Sequence, residues 1–235
     1  MERPSKQRFQ LTSNQLKLIA LVSMTIDHVG LMLLPQHIIF RIVGRLAFPI
    51  FAFMIGEGCR YTSHPGRYLG TVFGVGAVGQ IVYLIAAQSL YQRILITFSF
   101  SIVLIYMLQW SRKKEGMRWL ACALAFLLAA FLCEGLPHLL PGTDFGIDYG
   151  FSGVLLPVLV FLGDTDWEKL TGAAIGLLFV CLQTGSVQWF SLVSLLLLAC
   201  YHGKRGKRKL KYLFYIYYPV HLVVIWGIGL LLSGN

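Results

Sequence analysis

Charge is scarce in this chain. Only 13% of its 235 residues are charged, and only ten are acidic. A soluble globular domain carries about 25% charged residues, so a solvated surface around an ordinary core is excluded. Motifs that carry chemistry are scarce too. There is no C-x-x-C pair, zinc-ligand spacing, P-loop, dinucleotide fingerprint or nucleophile elbow. No metal is therefore expected. Cys59, Cys122, Cys133, Cys181 and Cys200 fall in or at the ends of apolar stretches and read as small apolar packers. No internal repeat or low-complexity tract is visible.

What remains is apolar. Hydrophobic residues make up 57% of the chain, and the mean hydropathy is +0.70. That composition predicts an all-α, polytopic membrane bundle. Nine apolar segments are expected, at about 16–34, 39–59, 69–88, 94–110, 119–133, 151–162, 170–183, 189–201 and 212–232. Those at 119–133, 151–162, 170–183 and 189–201 are short for spanning. The loops between them are brief, so residues 1–235 read as a single transmembrane domain. The first apolar run is too long and too polar for a cleaved signal, and it lacks a small-x-small site. Glycines at 70, 74, 76 and 79 suggest close helix packing along the third segment.

The net charge is +10. Nine crossings would place 17 of the 20 basic residues on one side, leaving Arg41, Arg45 and Arg93 on the other. By the positive-inside rule the N-terminus is then cytoplasmic and the C-terminus outside. Dispersal of the charge among short loops argues against nucleic-acid binding.

Some polar residues serve no topological end. Asp27 and His28 lie within the first segment, where ionisable groups are costly and usually functional. They suit a general base, His28, set by a carboxylate. They also suit two interhelical clamps. In the second segment Pro49 cannot bond the carbonyl of Arg45, which predicts a kink with a guanidinium at the same level. Arg45 could bind an anion or an acyl carbonyl, or pair with Asp27. Glu57, near Arg60 and Arg67, reads as a structural ion pair. In the last segment Pro219 repeats the device. His221 shares a helical stripe there with Tyr217 and Tyr218. Asp148 reads as a cap on the sixth segment.

The blocks LKLIALVSMTIDHVG, GRLAFPIFAFMIGEG with Arg67-Tyr68, DYGFSGVLLP and FYIYYPVHL together resemble the TraX family of membrane proteins. They run from one end of the chain to the other. That family is named for a conjugal-transfer protein that acetylates the pilin N-terminal amine. It is similar in turn to transmembrane acyltransferases, including the acyltransferase 3 proteins and the lysosomal heparan glucosaminide acetyltransferase. The resemblance implies an acetyltransferase of the bacterial plasma membrane. Cytosolic acetyl-CoA would be the donor. The acceptor would be an extracytoplasmic amine or hydroxyl on a glycan, lipid or protein N-terminus. By that resemblance His28 matches the membrane-embedded histidine, with Asp27 and Arg45 beside it and His221 a second candidate base. Lys17, Arg60, Arg67 and Lys211 are placed at the donor phosphates, with Glu57 and Tyr218 along the donor path. The rival reading is a small proton-coupled transporter or flippase, since paired ionisable groups in the membrane also serve proton coupling.

Overall fold

The computed structural model describes residues 10–112, 117–206 and 210–233. Among these residues there is no strand, only two isolated bridges, Leu11 to Tyr201 and Gln92 to Ile147. The helices are α1 (Ser13–Met32), α2 (Ile38–Gly44), α3 (Ala47–Tyr61), α4 (Pro65–Ala87) and α5 (Ile94–Ser111). Next come α6 (Met117–Ala130) and α7 (Leu136–Leu139), joined by a π-helical turn. Then follow α8 (Gly150–Leu162), α9 (Asp166–Thr184), a 3-10 stretch at Ser186–Val193 leading into α10 (Ser194–Ala199), and α11 (Lys211–Ser233).

Local chemistry sets several of these ends. Thr12 accepts from the Gln15 amide, and the Gln15 side chain returns a bond to the Thr12 amide. Thr165 and Glu168 do the same for α9. Both are capping boxes. Pro49 has the predicted effect. Its ring leaves the Arg45 carbonyl without a helical donor, and the chain breaks at Arg45-Leu46 between α2 and α3. Pro219 does not break α11.

The centre is packed by Leu16, Ile50, Phe98, Ile102, Ile105, Leu156 and Leu177, all fully buried. In lipid such packing rests on close fit more than on water expulsion. Glycines allow that fit at some places and not at others. Gly172 and Gly176 seat α9 on Leu159 and Leu156 of α8. Along α4, Gly76 faces Leu95 and Gly79 faces Tyr218, but Gly70 and Gly74 meet nothing. The expectation of close packing along all four is corrected to two.

Six helical segments among the described residues are long and apolar enough to cross a membrane, fewer than the nine expected. The other three expected segments are helical but do not meet that standard: α8, α9 and the 186–199 unit. Contacts among the described residues gather segment ends into two groups. At one end Leu11 bonds Cys200, Ser13 bonds Lys204, Arg60 pairs with Asp164 and Lys169 pairs with Glu57. At the other end Leu90 bonds Asp144, Gln92 bonds Gly146, and Glu134 bonds Phe151 and Gln183. The basic residues Arg60, Lys169 and Lys204 lie at the first end, the basic end.

Candidate functional site

The site lies near the end opposite the basic loops, where α1, α2, α5, α8, α11 and the 3-10 stretch converge. Asp27 and His28 point to different partners, as neighbours about 100° apart on a helix must. The Asp27 carboxylate is clamped by two arginines. Arg41 Nη1 donates to Oδ2 at 2.7 Å, and Arg45 Nη2 donates to Oδ1 at 3.2 Å. Gly44 makes room for this clamp, because a Cβ there would overlap the Asp27 side chain. The Arg45–Asp27 bridge considered from sequence is present, with Arg41 as a second partner.

His28 is not oriented by Asp27 directly, which corrects that expectation. Its Nε2 lies 2.8 Å from Arg93 Nη2, and its Nδ1 lies 3.0 Å from His221 Nε2. His221 Nδ1 in turn lies 2.9 Å from the Tyr217 carbonyl oxygen. Guanidinium and carbonyl fix the direction of this chain. Arg93 can only donate, so His28 Nε2 accepts. His28 then carries its proton on Nδ1 and donates to His221 Nε2. His221 carries its proton on Nδ1 and donates to Tyr217. Every ring nitrogen is used, and both rings are neutral. The Tyr217 ring stacks on His221 with centroids 5.2 Å apart, while the Tyr217 hydroxyl shares a 2.7 Å hydrogen bond with Thr25. The stripe of Tyr217, Tyr218 and His221 read from the sequence is therefore built.

Arg93 is held by its own neighbourhood. Its amide donates to Gln80 Oε1, and its guanidinium covers the Tyr83 ring at 4.5 Å. Tyr218 is a close electrostatic neighbour of it. The pairing of Gln92 with Gly146 and Asp148 fixes the chain on which it sits.

Asp148 does not cap α8, contrary to expectation. Its carboxylate accepts instead from the Tyr91 hydroxyl at 3.3 Å. Burial pushes its carboxyl above the usual range, and the positive charges of Arg93 and Arg45 oppose that rise. Tyr149 follows with φ +60°, a left-handed conformation uncommon for a bulky residue. The turn lays its ring on Phe48, centroids 3.9 Å apart, and brings its hydroxyl to 3.3 Å from Arg45 Nη1. The same Nη1 donates to Gln188 Oε1 at 3.2 Å. A cavity of about 370 Å³ opens here, lined by Arg41, Arg45, Asp148, Tyr149 and Gln188 among others.

The residues assigned to donor binding are divided. Glu57 pairs with Lys169 at 2.9 Å and accepts from Tyr201, so its ion pair is real but its partner is neither Arg60 nor Arg67. Arg60 is committed to Asp164 and to the carbonyls of Phe161 and Gly163. Both therefore have structural partners within the bundle. Lys17 sits 5.9 Å from the Phe214 ring, and Arg67 is exposed at the basic end. Tyr218 lies elsewhere, beside Arg93 and His221. The Lys211 side chain falls outside the described residues. Sequence reasoning missed Arg93, Tyr91 and Gln188. A signal for Arg93 existed: the three basic residues off the basic end, Arg41, Arg45 and Arg93, all meet at this site.

Taken together, these features define a helical membrane-type bundle with a buried polar site sunk from one end. The chain belongs to the TraX protein family, whose model matches residues 12–229. It is 25% identical to the probable fimbrial assembly protein FimC, serogroup H1, of Dichelobacter nodosus, over 90% of this chain and 93% of that one. It is 30% identical to protein TraX of Escherichia coli, over 60% of this chain and 52% of that one. No solved structure matches.

Proposed function

We propose that this protein is a membrane-embedded acyltransferase of the bacterial plasma membrane, taking acetyl groups from cytosolic acetyl-CoA. The acceptor is an amine or hydroxyl presented at the outer face. The observation that carries this reading is the hydrogen-bond chain from Arg93 through His28 and His221 to Tyr217. It gives one imidazole a lone pair to receive a proton and a second imidazole to hold the first in place.

The donor approaches from the basic end, where Lys17, Arg67 and Lys211 are the candidates for its phosphates. The acceptor N–H or O–H replaces Arg93 at His28 Nε2. The acceptor atom attacks the thioester carbonyl carbon as its proton passes to that nitrogen. The displaced Arg93, or Arg45, donates to the oxyanion. Collapse breaks the C–S bond, and the thiolate takes the proton from His28 to leave as CoA thiol. His221 accepts from His28 Nδ1 throughout.

The test is thiol release from acetyl-CoA by the purified full chain, with bacterial envelope extracts as acceptor. Wild type releases thiol and His28→Ala falls by about 100-fold or more, the range for a lost general base. A folded His28→Ala protein working at the wild-type rate would sink the assignment. Proton flux in liposomes without thiol release would favour a transporter.

A further inference from the structure

The cavity beside Arg45 has more positive charge and more hydrogen-bond donors than its own residues use. Asp27 supplies one carboxylate to two guanidinium groups, Arg41 and Arg45. The other acid in the lining is Asp148, so three guanidinium groups, Arg41, Arg45 and Arg93, stand against two carboxylates. One positive charge is left over at the cavity wall. Gln188 is 3% exposed, and its Oε1 accepts from Arg45. Its Nε2 is buried and has no partner among the described residues. An amide with its oxygen committed to a guanidinium has its orientation fixed, so both N–H bonds of Gln188 remain to be satisfied. The Tyr149 hydroxyl accepts from Arg45 and has its own proton to give. Native interiors rarely leave a buried donor unmet without reason.

We infer that this cavity binds an oxyanion, a carboxylate or phosphate, carried by the ligand that enters from the end opposite the basic loops. The Gln188 amide, the Tyr149 hydroxyl and the Arg41 guanidinium are its donors, and the surplus charge of the Asp27 cluster is its counterion. The inference depends on the proposed activity only in calling that ligand the acceptor. Binding is read without acetyl-CoA, so failure here and failure of acyl transfer are separate results.

The probes are acetate and inorganic phosphate, added at constant ionic strength against chloride to the full chain in neutral detergent. A further arm compares nanodiscs of phosphatidylcholine with and without phosphatidylglycerol. The readout is thermal unfolding. Wild type gains a saturable rise in Tm from a soluble oxyanion, which identifies a free acid. A rise only with phosphatidylglycerol identifies a lipid headgroup. Gln188→Glu keeps the acceptor for Arg45 but turns a donor into a second carboxylate, and the apparent Kd rises by about tenfold or more. Ile38 lines the cavity, is 56% exposed and makes no side-chain hydrogen bond, so a second variant pair is built there. Ile38→Glu weakens binding and Ile38→Gln does not, which decides the matter if Gln188→Glu fails to fold. A cavity filled by water alone would show no rise in any arm. That result overturns the inference, as does a rise left unchanged by both acidic variants.

Discussion

The proton on His28 is placed by Arg93, a residue 65 positions away in sequence. A guanidinium cannot accept, so the tautomer of both histidines follows from one contact. Nitrogen-15 NMR of labelled protein should show His28 protonated at Nδ1 and bare at Nε2. Arg93→Met should leave the proton on Nδ1, because the Tyr217 carbonyl still fixes it through His221, and a wild-type Nε2–H signal would refute the arrangement. Asp27 tests the other half of the site. Asp27→Asn leaves two largely buried guanidinium groups without their shared carboxylate, and removing one partner of a buried pair costs about 3 kcal/mol or more. The double variant with Arg41→Gln should recover part of that loss in reversible unfolding. The need for Asp27, His28, Arg45 and His221 to be explained was legible in the sequence, because lipid leaves so few reasons for an ionisable side chain. Of their partners, the Arg45–Asp27 pairing and the Tyr217–His221 stripe were legible, and Arg93 and the His28–His221 contact were not. Arg93 looked like a loop charge because its depth is set by the pairing of Gln92 with Gly146, a contact across the chain that no local pattern encodes.

At the scale of elements, α1 and α2 form a hairpin whose closeness depends on two glycines. A Cβ at Gly30 would overlap Phe40, and one at Gly44 would overlap Asp27. Gly44→Ala should therefore cost about 1–3 kcal/mol, the usual penalty for overpacking, and disturb the Arg41–Asp27–Arg45 clamp. Gly74→Ala meets open space, and its effect should stay within about 1 kcal/mol, the intrinsic helix preference for alanine. Equal losses at both positions in an unfolding assay would contradict this packing. The sequence marked α4 as the glycine-rich contact helix, yet the tightest glycines at the site lie on α1 and α2. Spacing of small residues reports where a neighbour could approach, and only the assembled bundle reports where one does. The break at Arg45-Leu46 was legible, since a missing proline N–H acts within one turn.

At the scale of the molecule, the span count decides what the site faces. The 13-residue α8 reaches only about 20 Å, against a hydrocarbon core of about 30 Å. If α8, α9 and the 186–199 unit failed to cross, the loop after α10 would share a side with the loop before α8. The hydrogen bonds of Leu11 to Cys200 and of Ser13 to Lys204 tie that loop to the N-terminal end instead. Single-cysteine labelling with a membrane-impermeant maleimide separates the two cases. Four of the five native cysteines are buried and the fifth is only partly exposed, so background is low. With the N-terminus inside, Thr143→Cys should label in intact cells, while Ser63→Cys and His202→Cys should label only after permeabilisation. Labelling of His202→Cys together with Thr143→Cys would reduce the crossings to six and move the last helix, with His221, to the opposite orientation. The alternating contacts at the two ends of the bundle predict that His202 stays with Ser63.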